Sequence, residues 1–112
     1  MEFIMIEISI RLKDDLLRSC FIKGHAEVAP KGKDIVCAAV SILAKTTWQV
    51  LSVRKGVTVL GKAAKRGEFS LEVTACERQE FFLAGISAFL MEGLESVVRE
   101  YPENCKITII KV

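Results

Sequence analysis

The chain has one histidine (His25), one tryptophan, one tyrosine and two prolines among its 112 residues. Each scarcity excludes something. Its four cysteines, Cys20, Cys37, Cys76 and Cys105, form no C-x-x-C pair, and only one imidazole could join them, so the spacing of a zinc site is missing. No metal and no cofactor is expected. Sixteen basic against fourteen acidic side chains leave a net charge of +2, too near balance to imply a nucleic-acid or membrane partner. One Trp and one Tyr also offer little for base stacking, which speaks against direct nucleic-acid binding. The longest apolar run, Val36 to Ala44 broken by Ser41, is far short of a membrane span. The opening Met-Glu-Phe-Ile-Met-Ile-Glu-Ile lacks the basic region, apolar stretch and cleavage site of a secretory signal. A cytoplasmic protein with reduced thiols is the expectation.

What is present is a strongly apolar chain, 51% hydrophobic with mean hydropathy +0.34, read as one domain over residues 1–112. Ile4, Ile6, Ile8, Ile10 and Leu12 alternate with polar residues, the period of a half-buried strand. Lys13-Asp14-Asp15 signals a turn into a second strand, Leu16 to Lys23. Residues 26–33 read as a loop punctuated by Pro30 and Gly32. Asp34 then suits a helix N-cap, with a stripe of Ile35, Ala38/Ala39, Ile42, Thr46, Val50 and Val53, and Arg54-Lys55-Gly56 as the stop. Strands follow at Val57–Leu60 and Phe69–Ala75. A second helix spans Arg78 to Tyr101 on Phe82, Ile86, Phe89/Leu90, Gly93 and Val97, with Phe81, Phe82 and Phe89 expected in the core. Lys106 to Val112 closes the chain. The order β-β-α-β-β-α-β predicts an α+β domain, a mixed sheet packed with two long helices.

Two side chains in this frame suggest chemistry. A thiol in the first turn of a helix lies near free backbone N–H groups and the positive end of the dipole, which favour its thiolate and an oxyanion. Cys37 has that predicted position, with Lys33 close by in sequence. His25, delivered to a sheet edge by Gly24, is the sole imidazole that can hold and return a proton. Asp34 has two candidate roles, capping the helix or orienting the imidazole, and the cap is favoured. Ser41, one turn on, reads as a packing residue rather than a second nucleophile. Cys20, Cys76 and Cys105 read as buried apolar thiols.

The run Gly24-His25-Ala26 followed by Gly32-Lys33-Asp34-Ile35-Val36-Cys37-Ala38-Ala39-Val40-Ser41 resembles the ribosomal processing cysteine protease (Prp) family, and the likeness covers essentially the whole chain. That resemblance implies a bacterial, cytoplasmic, homodimeric endopeptidase. Its substrate would be the N-terminal segment of the twenty-seventh protein of the large ribosomal subunit, cut after a bulky aromatic residue. It also implies His25 as general base and Cys37 as nucleophile, with Gly24, Ala26 and Gly32 in a loop that covers the peptide. Asp34 and Ser41 match motif positions as supporting residues. Val28-Ala29-Pro30 departs from the family in being comparatively stiff and apolar. Two other readings stand beside this one. A non-enzymatic ribosome-associated module would use Lys62, Lys65 and Arg66. A thiol redox protein would need a second cysteine near Cys37 in space.

Overall fold

The computed structural model describes residues 5–24, 31–63 and 67–112, with the side chains of 31–34 left aside. Strands β1 (Ile6–Lys13) and β2 (Leu16–Lys23) form the predicted hairpin. Its turn is Asp14-Asp15, both at positive φ (52° and 63°), the backbone of the two-residue hairpin turns that match strand twist. Helix α1 (Lys31–Ser52) follows, then β3 (Val57–Lys62), β4 (Glu68–Cys76), α2 (Glu80–Glu100) and β5 (Cys105–Lys111). The element order is the one read from the sequence, and the fold is α+β.

The five strands form one mixed sheet in the order β3-β4-β2-β1-β5. All pairings are antiparallel except β1 with β5, which run parallel through the α2 crossover. One sheet face carries Ile6, Ile8, Ile10, Leu17, Cys20, Leu71, Val73 and Cys105, all buried beneath the helices. On the other face stand Glu7, Ser9, Arg11, Glu72, Lys106 and Thr108, and among the described residues no element covers it. The domain is therefore two layers deep.

The helices differ from expectation in instructive ways. Helix α1 begins at Lys31, four residues before the predicted Ile35, so Asp34 lies inside its first turn instead of flanking it. The Lys31-Gly32-Lys33 segment, read as loop because of its glycine and missing periodicity, is the opening turn. The side of α1 that meets the core is Val36, Val40, Ala44, Thr47 and Leu51. The predicted stripe faces away: Ile35 is 57% and Ile42 64% exposed. In α2 the buried line is Leu83, Ser87, Leu90 and Leu94, and the predicted Phe82, Ile86 and Val97 flank it half-buried. Phe81 and Phe89 are not core residues, being 98% and 69% exposed. Both helices are apolar around much of their circumference, so periodicity did not single out the packed face. By length and composition each is long and apolar enough to cross a membrane; here each buries one side on the sheet.

Candidate active site

Helices α1 and α2 lie antiparallel, and two contacts set their register. Gly93 faces Leu43 so closely that an added Cβ would stand 2.9 Å from Leu43 Cδ2. At the other end the Arg54 guanidinium lies 4.1 Å from the centre of the Phe82 ring, and its Nε donates to Gln79 Oε1 at 2.8 Å. Cys37 precedes Leu43 by six residues. On an antiparallel partner that places it at the level of the last turn of α2, around Val97 to Glu100.

From that turn the backbone runs straight to the sheet. Tyr101 N–H donates to Val97 O (2.8 Å) and Asn104 N–H to Tyr101 O (3.0 Å), which tightens the chain into Cys105. Cys105 opens β5 opposite Ile6, whose N–H donates to Asn104 O at 2.9 Å. Across Ile6 lies Gly24, where an added Cβ would come within 2.9 Å of Ile6 Cγ1. Gly24 N–H in turn donates to Gly67 O at 2.9 Å. This close approach accounts for a glycine at the exit of β2. Cys37, Cys105, Ile6 and Gly24 thus occupy one end of the molecule. His25, next in the chain after Gly24, lies outside the described residues, as do Ala26, Val28-Ala29-Pro30, Lys65 and Arg66. Gly32 and Asp34 belong to the first turn of α1, and Ser41, half-buried, lies one turn beyond Cys37.

The earlier start of α1 changes the electrostatics expected at Cys37. The unpaired N–H groups of a helix belong to its first turn, and the dipole's influence fades beyond it. Cys37 is the seventh helical residue, so its own N–H falls within the helical ladder. Helical side chains lean back toward the N-terminus, so the thiol reaches over the preceding turn, toward the backbone of Lys33 and Asp34, from a position beyond the helix start.

The four cysteines lie in distinct surroundings. Burial pushes Cys20 up to about 12. Cys105 is pushed up to about 11, chiefly by burial and further by the charge of Cys37. Both stay protonated at neutral pH. Cys76 is half-buried at the opposite end of the sheet, beside a cavity of about 260 Å³ that also touches Lys13, Asp14 and Glu80. Cys37 is half-buried against the core. Among the described residues no three His, Cys, Asp or Glu side chains converge as metal ligands would. Cys105, expected as a packing thiol, is buried. Its nearness to Cys37 was not legible, because it depends on the helix register and the parallel β1–β5 pairing.

A two-layer sheet-and-helix domain with an accessible thiol at one end fits a small cysteine peptidase. Residues 5–106 match the family described as cysteine protease Prp, and the chain belongs to that family. It is accordingly a peptide hydrolase rather than a non-enzymatic binding module. The ribosomal processing cysteine protease Prp of Bacillus subtilis (strain 168) is 27% identical over 112 residues, spanning 93% of this chain and 96% of its own. SMU.848 from Streptococcus mutans has a similar fold, with a TM-score of 0.79 at 23% identity over 96% of both chains. So has the ribosomal processing protease Prp from S. aureus in complex with a substrate peptide, with a TM-score of 0.78 at 20% identity over 94% of this chain and 99% of that one.

Proposed function

We propose that Cys37 and His25 form the nucleophile–base dyad of an endopeptidase that trims the N-terminal extension of the twenty-seventh large-subunit ribosomal protein. The cut falls after an aromatic residue. The observation that carries this reading is that Cys37 shares one end of the molecule with Gly24, the residue from which the chain passes directly to His25. The Cys37 thiolate attacks the scissile carbonyl, and the C–N bond breaks as His25 protonates the leaving amine. Water, deprotonated by His25, then hydrolyses the thioester and frees the thiol. A related S. aureus structure is described as holding a covalently linked product peptide, which is consistent with a covalent route. Ile35, Ala38 and Ile42 present an exposed apolar strip along the Cys37 end of α1, suited to an aromatic side chain. Gly24, Ala26 and Gly32 bracket the loop that closes on the peptide, with Asp34 and Ser41 in support. The enzyme works in the cytoplasm as a homodimer, so sedimentation should give twice the chain mass; a monomer mass would remove that part of the reading.

The test is mass spectrometry of a peptide spanning a Phe-Phe-Ala junction, with wild type, Cys37→Ala and His25→Ala. Wild type should cut once, after the second phenylalanine. Each variant should lose activity by on the order of 10³ or more with its fold intact. Cleavage by Cys37→Ala at the wild-type rate would overturn the assignment.

A further inference from the structure

Two of the four cysteines stand at the same end of the core, and they differ in the way a peroxide-sensing pair differs. Cys37 is half-buried and reachable, whereas Cys105 is 1% exposed. Two independent features bring them to the same end. The α1–α2 register puts Cys37 beside the turn of α2 that leads into Cys105. The tightened segment from Tyr101 to Asn104 fixes where β5 begins. The remaining thiols are elsewhere: Cys20 pairs with Ile10 and Leu71 in mid-sheet, and Cys76 closes β4 at the far end.

We propose that Cys105 is the resolving thiol for Cys37, so that a hydroperoxide reversibly silences the enzyme by closing a Cys37–Cys105 disulfide. The inference rests on the reading of Cys37 as the nucleophile. In the first step the Cys37 thiolate attacks a peroxide oxygen. The O–O bond breaks, hydroxide or an alkoxide leaves, and Cys37 becomes a sulfenic acid. In the second step Cys105 sulfur attacks the Cys37 sulfur. The S–O bond breaks, and the Cys105 proton leaves with the hydroxyl as water. The peroxide is reduced by two electrons and the two thiols are oxidised to one disulfide. A dithiol reverses the bridge by exchange. Because Cys105 is sealed from solvent, the oxidant meets Cys37 first, and the bridge then keeps Cys37 from climbing to the irreversible sulfinic acid.

The experiment treats wild type, Cys105→Ser and Cys105→Ala with a small excess of hydrogen peroxide, and reads intact mass, non-reducing peptide maps and dimedone labelling. Wild type should lose the mass of two hydrogens, yield one cross-linked peptide pair containing Cys37 and Cys105, and resist dimedone. Both variants should label with dimedone at Cys37 and proceed to the sulfinic acid. Peptide cleavage on the same samples should fall at least tenfold in oxidised wild type and return with dithiothreitol, whereas the oxidised variants should not recover. A bridge to Cys20 or Cys76, or wild type that over-oxidises as the variants do, would overturn the proposal. The mass readout is independent of cleavage. A Cys37–Cys105 bridge in a protein that never cuts peptide would retire the peptidase assignment of Cys37 alone, and cleavage without the bridge would retire the resolving thiol alone.

Discussion

The Ser87 hydroxyl joins α2 to the sheet at a single atom. It donates to Leu83 O at 2.6 Å within the helix and accepts the Leu17 N–H at 2.8 Å from the hairpin. The second bond exists because the β1–β2 register slips between Arg11 and Leu12, where Arg18 is the extra residue and Leu17 N–H turns to the helix. Ser87 is 1% exposed, so water cannot replace the hydroxyl if it is removed. Ser87→Ala should therefore cost about 1–3 kcal/mol in urea unfolding, the usual penalty for stranding a buried donor. Ser87→Thr, which keeps the hydroxyl, should recover part of it. A Ser87→Ala protein as stable as wild type would mean that Leu17 N–H finds another acceptor.

Helix α1 shows how far a sequence can carry an element and where it stops. Its existence, its C-terminal end near Ser52 and the positive-φ glycine that follows, Gly56 at 94°, were legible from periodicity and capping chemistry. The buried side was not, because Ile35, Ala38 and Ile42 repeat as regularly as Val36, Val40 and Leu43 and the sheet that chooses between them is assembled from distant segments. The same limit applies to the site. The proposed roles of Cys37 and His25 are read from residue type, the single histidine and the family-like spacing, whereas the company of Cys105 depends on tertiary register. Strand β3 also runs past the expected end at Leu60: Gly61 belongs to it, and an added Cβ there would lie 2.5 Å from Trp48 Nε1, so the glycine makes room for the indole of α1. Paired truncations test the face assignment. Leu51→Ala, at a fully buried position, should cost about 2–5 kcal/mol. Ile42→Ala, on the solvent side, should stay within about 0.5 kcal/mol. Equal costs would mean that Ile42 is covered by something other than this chain's own core.

For the whole molecule, the buried thiols set a limit on alkaline stability. Cys20 is held up at about 12 and Cys105 at about 11, while thiols of an unfolded chain ionise near about 8.5. Below that range both states keep their protons and the packing of the thiols contributes in full. Above it the unfolded chain releases protons that the native state retains, so stability falls as pH rises toward the native values. Each such thiol gives a slope of at most about 1.4 kcal/mol per pH unit. Urea midpoints should be insensitive to these groups from about pH 6 to 8 and decline from about pH 9 to 11. Cys20→Ala, though less stable overall, should decline less steeply, and an unchanged slope would show that Cys20 ionises in the native state as it does in the unfolded chain.

The parallel pairing of β1 with β5 also governs the order in which the protein can mature. The β1–β2 hairpin closes locally, on the microsecond scale typical of such elements. The β1–β5 ladder must instead gather Ile6 and Cys105 from nearly opposite ends of the chain, and its loop-closure entropy is met only after α2 has docked. That ladder builds the end of the sheet where Gly24 and the Cys37 turn of α1 come together. On the proposed assignment of Cys37 and His25, a chain still folding therefore holds its hairpin before it holds its cutting edge, and a newly made copy has no assembled blade to turn on the unfolded segments around it.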